Sequence, residues 1–251
     1  MKRFVPLPGA EVYVALQRTS YQHPITQRFQ KKIKIGPLQI SFQRQYNKWL
    51  LPIIESRRTI AIFESYYSDM EREYLSIAGY LPGAVGRILD IGCGIGGIDV
   101  FLHNHYRGEA KMHLLDRSGL SDNVYYGFSE SGAYYNSLDM TSRFLLHNGV
   151  STEGFVTVDV ERHPFPAAQL FDLVLSLLSW GYHYPVTTYL DAVHAALAPG
   201  GTLIVDLRRH TPGKQQLTEK FGVAPEVVLQ TPKYERVVLR SLGPDPRRRK
   251  S

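Results

Sequence analysis

The chain has 251 residues, 43% of them hydrophobic and 21% charged, which suits one large globular domain or a domain with an appendage and excludes a disordered chain. The net charge is +6, but Arg247, Arg248, Arg249 and Lys250 supply four of the 29 basic residues, leaving 25 against 23 acids in the body. A near-neutral body argues against a nucleic-acid partner, and residues 243–251 read as a basic, disordered tail. No run of about 18 apolar residues occurs, so no membrane span is expected. Met1-Lys2-Arg3-Phe4-Val5-Pro6 lacks the apolar core of a secretory signal. Cys93 is the single cysteine, which excludes an intrachain disulfide and a Cys-rich zinc site. The expectation is a cytoplasmic protein, with no basis for an oligomeric state.

Residues 1–83 read as an N-terminal arm and helical lid. Up to about residue 40, Pro6, Pro8, Pro24 and Pro37 interrupt β-prone runs such as Glu11-Val12-Tyr13-Val14-Ala15-Leu16, so an irregular segment with a strand or two is expected. From Phe42 to Ile77 apolar residues recur at helical spacing, broken at Leu51-Pro52, and Pro82-Gly83 ends the arm. Over residues 84–242 short apolar strands alternate with helical segments, the signature of an α/β domain with a mostly parallel, doubly wound sheet. Strands are expected at 87–91, 111–115, 154–158, 171–177 and 202–207, with 226–230 and 234–239 as an antiparallel edge. Helices are expected at 98–106, 136–148, 186–197 and 214–221.

The first strand runs into Asp90-Ile91-Gly92-Cys93-Gly94-Ile95-Gly96-Gly97 and then a helix. Glycines there let backbone approach a ligand closely, and a helix start favours a negatively charged group. Asp116 ends the second strand, where an acid accepts hydrogen bonds from the hydroxyls of an adenosine ribose. Gly92, Gly94 and Gly97 also satisfy the dinucleotide pattern G-x-G-x-x-G, so a nicotinamide dehydrogenase stays open beside a tight turn without ligand.

Asp90 two residues before the first glycine, Asp116, Asp159 after the third strand and Leu197-Ala198-Pro199-Gly200-Gly201 before the fifth together resemble the class I S-adenosylmethionine-dependent methyltransferases over about residues 84–240. The resemblance implies a Rossmann-like fold and S-adenosyl-L-methionine as cofactor. It implies Gly92, Cys93, Gly94 and Gly96 under the methionine part, with Asp90 organising the site for the amino end. Asp116, with Arg117 beside it, would hold the ribose, and Asp159 and Val160 would approach adenine. Ser176 and Leu177 would border the reacting sulfur.

A hydroxyl acceptor needs its proton removed, and a histidine is the side chain that titrates near neutrality. Ser179-Trp180-Gly181-Tyr182-His183-Tyr184-Pro185 follows the fourth strand, at the sheet edge where ligands bind. His183 is the candidate base with Tyr182 beside it, and Trp180 and Tyr184 are candidate acceptor walls; the alternative is that they close the cofactor pocket. The long segment 117–135 should cover the site through Tyr126 and Tyr135, and Tyr66 on the arm should approach from above. His103 and His105 point to different faces of a helix, and no metal site is expected. Methyl transfer to a hydroxyl of a small molecule or glycan leads; N-, nucleic-acid or protein methylation and a non-catalytic cofactor-binding scaffold are the alternatives.

Overall fold

The computed structural model describes residues 3–21, 33–35, 38–40, 53, 55–120, 127–129 and 135–242. Helix α1 (Glu11–Gln17) precedes a short hairpin, β1 (Ile33–Ile35) with β2 (Leu38–Ile40), and the long helix α2 (Thr59–Ile77). Next come β3 (Arg87–Ile91), α3 (Gly97–His105) and β4 (Lys111–Asp116). A two-residue pair, β5 (Gly119–Leu120) with β6 (Tyr135–Asn136), leads to α4 (Leu138–His147) and β7 (Phe155–Asp159). The chain ends with β8 (Phe171–Ser176), α5 (Leu190–Ala196), β9 (Leu197–Arg208), α6 (Gly213–Phe221), β10 (Glu226–Gln230) and β11 (Tyr234–Arg240).

Seven strands form one sheet in the order β10-β11-β9-β8-β3-β4-β7. β3, β4, β7, β8 and β9 run parallel, and β11 is antiparallel to both β9 and β10. From β3 the chain steps outward to β4 and β7, then returns to the other side of β3 for β8 and β9. Successive connections therefore leave in opposite directions between β3 and β8, and a crevice opens at their carboxyl ends. Among the described residues no helix is long and apolar enough to cross a membrane.

The alternating segments were legible as strands and helices, and two differences have physical causes. β9 starts at Leu197, five residues before the expected Thr202, because Leu197 pairs with Phe171 before the register shifts. Pro199-Gly200-Gly201 is thus absorbed as an irregularity within the strand. Glu11–Gln17, expected to be β-prone, is helical. Val14 and Ala15 pack into the main core while Val12 and Leu16 meet Tyr135, and burial on two sides overrides the β-branched preference. Of the helical stretch expected before Thr59, residues 42–52 and 54 lie outside the described residues, as does the tail 243–251, and Ser56–Arg58 forms a single 3-10 turn leading into α2.

The arm shares its core with the sheet. Phe4 sits within 5.6 Å, ring to ring, of Tyr66, Tyr67, Phe101 and Phe144, which come from α2, α3 and α4. The boundary near residue 83 is one of sequence pattern, and the hydrophobic core runs across it. α5 and α6 cover the opposite face through Val193, Ala196 and Leu217.

Candidate active site

The crevice holds a cavity of about 700 Å³, large enough to enclose most of a nucleoside-sized ligand. Its floor is the glycine loop. Gly92 and Gly94 have φ of 81° and 55°, in the left-handed region that side chains disfavour. A Cβ on Gly92 would stand 1.9 Å from Ser179 Oγ, and one on Gly94 2.5 Å from Gln17 Nε2. The loop passes directly beneath two side chains from distant parts of the chain.

Asp116 organises this floor. Its Oδ2 accepts hydrogen bonds from Gly94 N (2.8 Å) and Asn136 Nδ2 (3.0 Å), and its Oδ1 from Arg117 N (2.7 Å). Burial raises its pKa, and these donors oppose the rise. Asn136 Nδ2 and Thr141 Oγ1 also donate to Gly94 O, at 2.8 and 2.7 Å, so the loop is held from above as well as below. Asn136 is buried and lines the cavity, and its Oδ1 accepts no hydrogen bond among the described residues. Gln17 Nε2 is likewise buried with no partner among the described residues. An acceptor and a donor at one cavity wall are both left for a ligand to satisfy.

Asp90 lines the cavity beside Gly92, and its carboxyl meets that of Asp99 in the first turn of α3. Both acids are raised, first by burial. The first free amide of α3 is taken: Gly97 N donates to Tyr66 Oη at 2.9 Å.

Val160, Glu161, Arg117 and Tyr189 form another part of the lining. Val160 N donates to Asp116 O (3.1 Å), and Arg117 Nε pairs with Glu161 Oε1 at 2.7 Å. Beyond β8, Leu178 adopts φ 54°, a strained setting for a bulky residue, with its N–H donated to Asp206 Oδ2 (3.0 Å). That turn delivers Ser179, Tyr182, His183 and Tyr184 to the cavity. His183 Nδ1 is 3.2 Å from Gly127 O. A carbonyl only accepts, so Nδ1 carries the proton and Nε2 keeps its lone pair. Burial lowers the His183 pKa, which keeps the ring neutral at pH 7. Tyr182 packs edge-on against His183 and Tyr234, and Arg208 lies over its ring with the guanidinium carbon 4.6 Å from the centroid.

A chain of charges roofs the cavity. Arg18 bonds Asp69 (2.7 Å) and Glu73 (2.9 Å) on α2. Glu73 also meets Arg236 of β11 (2.7 Å), and Arg236, fully buried, forks onto both oxygens of Asp206 on β9 at 2.7 Å each.

No protein-family model and no curated protein matches the sequence. Solved structures are similar in fold. The StiE O-MT is 13% identical and covers 77% of this chain and 81% of its own, with a TM-score of 0.53. A precorrin-6y C5,15-methyltransferase of Geobacter metallireducens is 14% identical over 69% of this chain and 88% of its own, with a TM-score of 0.50. What the chain shares with these methyltransferases is the Rossmann-like fold. The chain spans only 42% of a third, the T. thermophilus 16S rRNA N2 G1207 methyltransferase, at 18% identity and a TM-score of 0.45.

Within this methyltransferase fold, the expected residues divide. Asp90, Gly92, Cys93, Gly94, Asp116, Arg117, Val160, Leu177, Tyr182, His183, Tyr184, Tyr135 and Tyr66 line the one cavity. Four do not. Trp180 is wholly buried, its Nε1 donating to Val186 O at 2.9 Å, so it is a core residue of the α5–α6 face and no acceptor wall. Ser176 is buried, donating to Ile91 O and accepting from Trp180 N, and it braces the turn after β8. Asp159 turns to Glu161 N and Arg162, and Glu161 stands at the cavity instead. Gly96 starts α3 at φ 82° under Leu145, off the cavity. Tyr66, expected as a lid residue toward the acceptor, caps α3. Tyr126 lies outside the described residues.

The residues that sequence reasoning missed are Gln17, Arg18, Glu73, Asn136, Ser179 and Tyr189. Asn136 had a readable signal, an amide just before the Ser137 N-cap of α4 and after the long segment. Arg18 and Glu73 had none, because their meeting depends on how α1 packs on α2.

Proposed function

We propose that the chain is an S-adenosylmethionine-dependent methyltransferase acting on a hydroxyl of a small molecule or sugar, with His183 as the base. The observation that carries this reading is that one cavity joins a glycine cradle with unpaired hydrogen-bonding groups to a neutral histidine of fixed tautomer. When bound, S-adenosylmethionine supplies a methyl group on a positively charged sulfur. The residues fit that molecule. Asp116, which accepts one hydrogen bond at Oδ1, and the open Oδ1 of Asn136 suit ribose hydroxyls. Val160 and Tyr189 offer apolar surface for adenine, and Asp90 suits an ammonium.

The transfer needs alignment more than covalent help, and alignment supplies several kcal/mol, on the order of 7 or more in well-oriented cases. His183 adds proton removal. Its Nε2 takes the acceptor's hydroxyl proton as the oxygen attacks, while Gly127 O holds the Nδ1 side. Tyr182 packs against the imidazole and keeps the ring from turning away.

Calorimetric titration with S-adenosylhomocysteine, with NAD in a parallel cell, tests the cofactor. Micromolar binding of the first alone is expected, and binding of NAD alone would overturn the reading. In an acceptor screen beginning with sugars, His183→Ala should lower turnover roughly 10²- to 10⁴-fold with cofactor affinity unchanged. Full activity in that variant removes His183 from the base role.

A further inference from the structure

Leu178 stands in the left-handed region, at φ 54°, where the chain leaves β8. Bulky residues disfavour that region and persist in it only where their surroundings hold them, most often at functional sites. What holds Leu178 is Asp206 of β9, whose Oδ2 accepts its N–H at 3.0 Å. Ser179, Tyr182, His183 and Tyr184 follow directly, and all of them line the cavity.

Asp206 can hold that bond because it is itself held. It has no exposed surface, and Arg236 of β11, equally buried, donates from Nε to Oδ1 and from Nη2 to Oδ2, both at 2.7 Å. The guanidinium is fixed in turn from α2. Its Nη1 donates to Ser76 Oγ at 2.6 Å, and Nη2 meets Glu73 Oε2 at 2.7 Å. A carboxylate forked by an arginine keeps one orientation, so Asp206 Oδ2 stays aimed at Leu178 N. The rest of the strand end grips the same turn. Arg208 N donates to Gly181 O (2.9 Å) and Arg208 Nε to Tyr182 O (2.8 Å). Gly181 sits at φ 84°, so close that a Cβ on it would stand 2.9 Å from Asp206 O.

On the reading that His183 is the base, we infer that Asp206, with Arg236 behind it, is a positioning residue that holds Leu178 left-handed and so directs His183 into the cavity. It acts through the turn and not on the acceptor. Freed of that bond, Leu178 relaxes to the right-handed or extended backbone that its side chain prefers. The chain then leaves β8 in another direction, and the imidazole loses the 3.2 Å contact of Nδ1 with Gly127 O that fixes its tautomer. Which ring nitrogen carries the proton therefore reports on Asp206.

Long-range proton–nitrogen correlation NMR on the full chain, labelled at its histidines, reads that nitrogen. The His183 signal is the one that His183→Gln removes. In the native chain the proton is expected on Nδ1. Arg236→Met, Asp206→Leu and Glu73→Gln together leave no unpaired buried charge and take away the acceptor of Leu178 N–H. The His183 proton should then move to Nε2, the tautomer that an imidazole free in water prefers. Adding Leu178→Gly should return it to Nδ1, because glycine takes the left-handed conformation with no bond to hold it there. Turnover on a hydroxyl acceptor should follow the ring, falling about a hundredfold in the triple variant and recovering with the glycine. Should the triple variant not fold, Arg236→Lys takes its place. It keeps a charge beside Asp206 and gives up the fork, so the Nδ1-protonated share should fall and be restored by the same glycine.

A ring that stays protonated at Nδ1 when Arg236 is replaced overturns the inference, and so does a native ring protonated at Nε2. A loss that Leu178→Gly leaves uncorrected overturns it as well, since the change would then be a general loosening of the fold. The base reading falls separately, on full turnover in His183→Ala, because the ring signal needs neither cofactor nor acceptor.

Discussion

The floor and the roof of the cavity are built on opposite plans. The floor is a single stretch, Arg87 to Asp116, in which β3, the glycine loop, α3 and β4 follow one another and Asp116 returns to bond Gly94 N. The roof joins Arg18, Glu73, Asp206 and Arg236, side chains brought together from four separate elements. Local geometry sets the floor, so its chemistry is tied to backbone that glycine alone allows. The roof depends on long-range charge pairing, so its chemistry is tied to stability. Changes in the floor should therefore cost binding, and changes in the roof should cost folding first.

The largest expected effect is in the roof. Arg236→Met leaves Asp206 a buried acid without its cation and takes from Glu73 one of its two partners, and removing one member of a buried pair costs about 3–5 kcal/mol. Urea denaturation should show that loss, with partial recovery when Asp206→Leu and Glu73→Gln are added. Arg18→Met, at the half-buried end of the same chain, should cost about 1 kcal/mol or less. Equal losses at both ends would mean the chain is one cooperative lock and not a buried anchor with a loose extension. In the floor, Asp116→Ala should leave the circular dichroism unchanged while S-adenosylhomocysteine affinity falls roughly ten- to a hundredfold. That is the loss of hydrogen bonds to a charged acceptor, about 1.5–3 kcal/mol.

Gln17 crosses the division, since it ends α1 and reaches the floor above Gly94. Its Nε2 is buried and has no partner among the described residues, so Gln17→Leu should leave the free protein as stable as before or slightly more so. Cofactor affinity should fall about tenfold, the worth of roughly one hydrogen bond to a charged group. Thermal unfolding with and without S-adenosylhomocysteine reads both. A variant destabilised when free and unaltered in binding would assign Gln17 to the roof.

The same division explains what the sequence made legible. Short apolar runs between helical segments, glycine spacing and an acid at a strand end are local, and β3, β4, β8 and the place of Asp116 could be read from them. The place of His183 at the cavity was readable because it follows β8 directly at the switch point. Trp180 was misread because its neighbours line the cavity; the turn after β8 points Ser179, Tyr182, His183 and Tyr184 inward and Trp180 into the opposite core. Asp159 was misread by one turn of backbone, since its carboxylate closes on Glu161 N and leaves Glu161 at the cavity. α1 was misread because Val12 and Val14 favour strands and only packing on α2 and against Tyr135 makes them helical. Arg236 and Asp206 read as ordinary strand charges until β11 pairs with β9 and aligns them as register partners.

A pH series tests whether the floor also carries a stability cost. Asp99 has a folded-state pKa near 7, above its unfolded value of about 4. Its contribution to stability is therefore full below about pH 4, falls as pH rises through the interval to about 7, and is flat beyond. Each such group changes stability by at most about 1.4 kcal/mol per pH unit. His183 and His113 act in the opposite sense, because burial lowers their pKa and their contribution is lost on acidification. The native profile mixes both signs, and only the difference between native protein and Asp99→Asn isolates the acid. Urea midpoints between pH 5 and 8 should show the variant gaining on the native protein as pH rises to about 7, then a constant gap. Parallel profiles would mean Asp99 holds no raised proton in the free fold, and the floor would be a binding device without a stability cost.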